Sequence, residues 1–131
     1  SWMAAPLLAE VAMRWIHNGN ANALVESQRR LLARRQALVG ERFADYLLGQ
    51  SPHALSCWMG IPEHWELDSL VRELRHRHIA VTPPDPFMVR GTPRPRAVRL
   101  CMGAECSDER LGDALDDMRD LFEKYPKIHD F

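Results

Sequence analysis

Long apolar runs are missing from this chain of 131 residues. None reaches the roughly 20 residues that a membrane helix needs. The opening stretch, SWMAAPLLAEVAMRW, lacks the basic start of a secretion signal, and Glu10 and Arg14 interrupt its apolar run. Cysteine is scarce. Cys57, Cys101 and Cys106 are odd in number and lie in apolar segments, which points to reduced thiols and a cytoplasmic setting, not to a disulfide framework. An excess of either charge is also lacking: the formal net charge is −1, which argues against a chain built mainly to hold nucleic acid or an anionic membrane. Lysine is nearly absent. Lys124 and Lys127 are the only two, both in the last eight residues, so arginine supplies almost all the positive charge.

Several chemical signatures are missing as well. No serine sits in a Gly-x-Ser-x-Gly turn. No glycine-rich phosphate loop is present, and no carboxylate pair stands out from ordinary helix-surface patterning. The Cys101-x4-Cys106 spacing is not that of a zinc finger or knuckle, and His76 and His78, two apart on a helix, point to different sides. No metal site is expected. The chain reads as part of a site, not a whole one.

What is present is one domain's worth of chain, with a hydrophobic share of 46%, enough for a real core. Leu7, Leu8, Val11, Ala12, Trp15 and Ile16 recur at helical spacing and predict a helix over 4–18. Asn18-Gly19-Asn20 reads as a stop and a restart. A second helix is predicted over 21–48, with Leu24, Leu31, Leu38 and Val39 on its apolar side and Gly40 as a weak point. The stretch 54–61 predicts a strand with Leu55, Cys57, Met59 and Ile61 on one face. An amphipathic helix follows over 65–79, with Leu67, Leu70, Val71 and Leu74 inward, then a short strand in IAVTP (79–83). The segment 83–96 holds five of the nine prolines and reads as a loop. A last strand is expected in AVRLCMG (97–103). A final helix follows, capped by Ser107, with Leu111, Leu115, Met118 and Phe122 as its buried stripe. The fold class is α+β, a small three-stranded mixed or antiparallel sheet with helices packed on it and a long N-terminal helical lead-in. The last strand is placed between the other two, antiparallel to both.

Arg99 interrupts the last strand. Alternation puts Val98, Leu100 and Met102 on one face and Ala97, Arg99 and Cys101 on the other, so the guanidinium lies where only small neighbours share its face. A planar fork in such a place suits the bidentate grip of a carboxylate. The alternative is an edge or outer-face arginine paired with a local Asp or Glu. The basic stretch RRLLARR, with Arg29, Arg30, Arg34 and Arg35, reads either as a solvated helix face balanced by Glu26 and Glu41 or as a phosphate-facing surface.

Four segments together resemble the C-terminal part of fold-type I pyridoxal-phosphate (PLP) aminotransferases. More narrowly, they resemble the C-terminal end of the MocR-type branch of GntR transcription regulators, in which a winged helix-turn-helix precedes an aminotransferase-like domain. LLAEVAMRWIHNGNANALVESQRRLLARRQAL looks like the helix pair that links the two lobes. SCWMGIP looks like the strand with an aromatic residue, here Trp58, ahead of a proline. LVRELRHRHIAVTPPDPF looks like the helix, strand and active-site-facing loop, and AVRLCMGAECSDERLGDALDDMRDL like the final strand and helix.

The resemblance implies a helical segment linking the lobes over 1–50 and an α/β small lobe over 51–131, together a fragment of a larger protein. It implies that Arg99 clamps the carboxylate of an amino acid bound to PLP, and that Pro84, Asp85 and Phe87 belong to the active-site loop. The family commonly has glycine where this chain has Pro84. The family's PLP-bearing lysine lies in the large lobe. Lys124 and Lys127 are in the wrong place for it, so no catalytic residue and no PLP adduct are expected in this chain alone, and PLP belongs to the full-length protein. The partners implied are the missing large lobe and winged helix of the same chain, a second copy in a homodimer, and an amino-acid or amine effector, with DNA met only through the winged helix. The alternatives are the same lobe of a true aminotransferase, and a self-contained homodimeric interaction domain.

Overall fold

A computed structural model describes residues 20–103 and 107–126. The helix expected over 4–18, Cys106 and Lys127 lie outside the described residues. In chain order the elements are helix α1 (Asn20–Phe43), strand β1 (Ser56–Gly60), helix α2 (Leu67–His76), a single 3-10 turn (Asp85–Phe87), strand β2 (Ala97–Cys101) and helix α3 (Asp108–Glu123). The architecture is α+β, as expected. None of the described helices is long and apolar enough to cross a membrane.

The two strands pair antiparallel, with Trp58 opposite Arg99 and Cys57 opposite Leu100. The inward residues Cys57, Met59, Val98 and Leu100 join Val39 and Phe43 of α1, Leu70 and Leu74 of α2, and Leu115, Met118 and Phe122 of α3 in one buried cluster. The Phe122 ring lies edge-on to both Phe43 and Tyr46, with centroids 5.2 Å apart in each case. This aromatic corner fastens α3 to the end of α1. Such edge-to-face pairs add about 0.5–1.5 kcal/mol beyond area burial.

The three-stranded sheet is not found: the sheet has two strands. Residues 79–83 run beside β2 but pair with it only once, at Thr82 and Arg99. Thr82 and Arg99 exchange both main-chain bonds there, at 2.9 and 2.8 Å. Pro83 and Pro84 follow at once. Neither has an N–H to donate, so the ladder cannot extend.

The second helix stops at Phe43 instead of running to residue 48. The N–H groups of Tyr46 and Leu47 both turn back onto the Phe43 carbonyl. Leu47 then bridges to Met59, and the Leu48 N–H donates to the Trp58 carbonyl. The chain is captured by the free edge of β1, which overrides its helical pattern. Gly40 does not break the helix. A Cβ there would sit 3.3 Å from the Gln50 side chain, which folds over that turn. The N-terminal half of α1 stands clear of the core: residues 22–30 are all exposed, Leu24 included.

The basic stretch on α1 divides. Arg29 and Arg30 are exposed, as a solvated face requires, whereas Arg35 is only 5% exposed. Its Nε donates to Asp108 at 3.0 Å and its Nη1 to the Met102 carbonyl at 2.7 Å. Arg34 reaches the other oxygen of the same carboxylate. Beside it, buried Gln36 donates to the carbonyls of Ala54 and Ser56. One turn of α1 thus holds the start of β1 and the exit of β2. Arg34 and Arg35 hold the Asp108 carboxyl below its usual range. A carboxyl depressed in the folded state stabilises the fold above its unfolded value of about 4, and the stabilisation is lost in more acid solution.

Helix α2 ends at His76 rather than 79 because of a cap that its sequence does not announce. His78 has φ 62°, the left-handed region normally given to glycine. Its N–H bonds the Arg75 carbonyl, and the Ile79 N–H bonds the Leu74 carbonyl, while both Ile79 and Leu74 are buried. This is the Schellman arrangement. Helix α3 begins as expected, with the Ser107 hydroxyl accepting from the Arg110 N–H at 3.1 Å.

Replacing His78 by glycine removes the side chain that makes the left-handed conformation costly. His78→Gly is expected to raise stability by about 1 kcal/mol, measured by urea denaturation. A loss of stability would show that the imidazole contributes more than the backbone conformation costs.

Candidate functional site

The site forms on the face of the sheet turned away from the core. Arg99 is not an edge residue. Its own N–H and C=O both go to Thr82, so its pairing with Trp58 on the opposite side is a non-hydrogen-bonded pair. In such pairs the side chains approach more closely. The Trp58 carbonyl, correspondingly, points away from β2, to the Leu48 N–H.

Two contacts fix the guanidinium, and a third braces one of them. Its Nε donates to the Ser56 hydroxyl at 3.2 Å. Its central carbon lies 5.2 Å from the centroid of the Phe87 ring, within cation–π range. Phe87 in turn meets Trp58 edge-on, with centroids 5.4 Å apart. Among the described residues, no carboxylate pairs with Arg99 and no acceptor engages its two Nη atoms. No buried side-chain nitrogen or oxygen among the described residues lacks a partner, so the Nη edge of the fork reaches solvent. The arginine is held at its elbow and on one face, with its bidentate edge open. That edge presents two N–H donors in the planar geometry that matches a carboxylate or phosphate.

The loop residues separate into different roles. Phe87, 54% exposed, is brought against Arg99. Pro84 is buried and opens the 3-10 turn that carries Phe87. Asp85 is engaged with Arg94 at 2.8 Å, not with Arg99. Ser56, Trp58 and Thr82 join the site through strand register. The alternation in 54–61 already puts Ser56 and Trp58 on the non-core face; the antiparallel register is what brings them to Arg99.

The described residues do not fit PLP by themselves. Lys124 is more than half exposed, pairs with Asp120 at 2.9 Å and lines a separate cleft of about 590 Å³ with Trp65, Arg77 and Tyr125. No lysine stands on the Arg99 face among the described residues, and none is therefore placed to form a Schiff base there.

The two thiols of the described residues differ sharply. Cys57 faces the core, and burial pushes its thiol up to about 11. Cys101 is exposed on the same face as Arg99. At neutral pH, Cys101 is expected to react with iodoacetamide while Cys57 stays protected until the protein unfolds. Peptide mass spectrometry reads both positions. Equal labelling of Cys57 in the native protein would contradict the burial of that strand face.

No protein-family model matches the chain, and neither does any curated protein sequence. Among solved structures, the chain is similar to a probable N-succinyldiaminopimelate aminotransferase from Thermus thermophilus, with a TM-score of 0.56 and 21% identity over 78% of this chain. The match covers 24% of that enzyme, so the chain spans about a quarter of its length. At this identity the likeness is one of fold alone: the chain is similar in architecture to part of an aminotransferase.

Proposed function

We propose that this chain is the small lobe of a larger PLP-binding, aminotransferase-like protein, and that Arg99 receives the carboxylate of its amino-acid ligand. The observation that carries this reading is the open bidentate edge of a guanidinium fixed by Ser56 and Phe87. Fixing it beforehand lowers the ordering cost of binding. The fold likeness to part of an aminotransferase supports the same assignment. So do the exposed N-terminal half of α1, with Leu24 and Val25, and the exposed Leu48, Leu55 and Val89, which fit surfaces that a larger body covers.

PLP is assigned to that larger body, which supplies the lysine and phosphate-binding groups. When bound, PLP withdraws electrons from an attached amino acid. This chain's own part is to orient the carboxylate. Within this reading the resemblance of the sequence favours a MocR-type transcription regulator, which senses an amino acid or amine and binds DNA through a winged helix elsewhere in the chain. A true aminotransferase would use Arg99 in the same way.

An antibody raised against this chain tests the reading on the native polypeptide. A mass far above 15.1 kDa is expected, with the additional sequence holding a PLP lysine and, for the regulator, a winged helix. In that protein Arg99→Ala is expected to weaken amino-acid binding by about 2–5 kcal/mol, the cost of breaking a desolvated charge pair, as measured by calorimetry. A native mass near 15.1 kDa would contradict the reading and favour a self-contained interaction domain. Unchanged affinity in Arg99→Ala would remove Arg99 from the site.

A further inference from the structure

The segment that carries Phe87 is weakly tied to the rest of the fold by its backbone. Among the described residues, the main-chain hydrogen bonds of 84–95 are local: Phe87 to Pro84, Met88 to Asp85 and Thr92 to Val89. Its hold on the body comes from side chains. Pro84 is buried, the Phe87 ring meets Trp58 and Arg99, and Arg94 makes the charged contacts. Arg94 serves two carboxylates at once. Its Nη2 and Nη1 meet the two oxygens of Asp68, at 2.8 and 3.3 Å, in the first turn of α2. Its Nε and Nη2 meet one oxygen of Asp85, at 3.0 and 2.8 Å, in the first position of the 3-10 turn. Two residues on, Arg96 fastens the same lead-in to the carbonyls of Pro62 and Trp65, so the chain entering β2 is already anchored beside α2.

We propose that Arg94 is a positioning residue. By clipping Asp85 to Asp68 it fixes the 3-10 turn, and the turn fixes the Phe87 ring against the Arg99 guanidinium. The inference deepens the reading of Arg99 as a carboxylate receptor and rests on it. A lone exposed ion pair contributes little, but a fork shared between two carboxylates is a network whose geometry is specified by the planar guanidinium. The sequence distance it spans is short on one side, nine residues to Asp85, and long on the other, 26 to Asp68. The clip therefore joins the loop to the body as well as to itself.

Nuclear Overhauser contacts between the Phe87 ring, the Arg99 side chain and the Trp58 indole, measured on the full chain without any ligand, test this directly. In R94Q both contacts to Phe87 are expected to disappear, while the methyl shifts of Val98 and Leu100 in the core stay where they are. D68N is expected to repeat the effect, and R94K, which keeps the charge but not the planar fork, to lose the contacts as R94Q does. Persistence of the Phe87 contacts in R94Q would overturn the inference. So would their loss together with shift changes throughout the core, which would make Arg94 a general support of the fold, or an R94K protein that keeps the Phe87 contacts, which would show that charge without the fork is enough. Because no ligand enters the measurement, its outcome is independent of whether Arg99 takes a carboxylate.

Discussion

The buried turn of α1 that carries Arg35 and Gln36 is the constraint on which the rest of the sheet depends. A two-stranded sheet is not stable by itself in water, and its open ends carry carbonyl groups that need donors. Gln36 supplies them at Ala54 and Ser56, where β1 begins, and Arg35 at Met102, just past the end of β2. Arg35 also holds Asp108, at the start of α3. A guanidinium that is 5% exposed would be costly without such partners. With them, one helical turn sets the relative position of both strands and of the helix that follows.

The Arg99 site inherits its geometry from that arrangement. Ser56, whose carbonyl is bound by Gln36, offers its hydroxyl to the Arg99 Nε. The antiparallel register then puts Trp58 opposite Arg99, and the single bridge to Thr82 takes up the Arg99 backbone on its other side. The small side chains beside Arg99 on its face leave room for the Phe87 ring, which comes from the proline-rich loop. The contacts come from three segments, β1, the stretch that carries Thr82 and the proline-rich loop, and the open Nη edge is what remains after all of them are made.

Much of this is legible in the sequence. Period-two alternation in 97–103 isolates Arg99 on the non-core face, and the helical stripe Leu111, Leu115, Met118 and Phe122 is buried as its spacing requires. Phe87 is identified through resemblance, and the structure places it at Arg99. Other features depend on contacts far apart in sequence. Arg35 is indistinguishable from Arg29 or Arg30 by local pattern, because only the fold brings Asp108 and the Met102 carbonyl to it. The third strand fails at Pro83 and Pro84, which the alternation of IAVTP conceals. The helix ending at Phe43 keeps an apolar pattern beyond its end, but Leu47 pairs with Met59 instead. Asp85 is assigned to the active-site loop through resemblance; its engagement with Arg94, and through it with Asp68, depends on a helix that the loop alone does not reveal.

The central claim is that the free edge of Arg99 receives a carboxylate. The most direct test is to titrate the protein with sodium acetate, against sodium chloride at matched ionic strength, while following the Arg99 Nε–H resonance by NMR. A saturable shift with acetate, absent with chloride and accompanied by movement of the Ser56 and Phe87 signals, is the predicted result. An Arg99 resonance that ignores acetate, or responds equally to both salts, would contradict the claim.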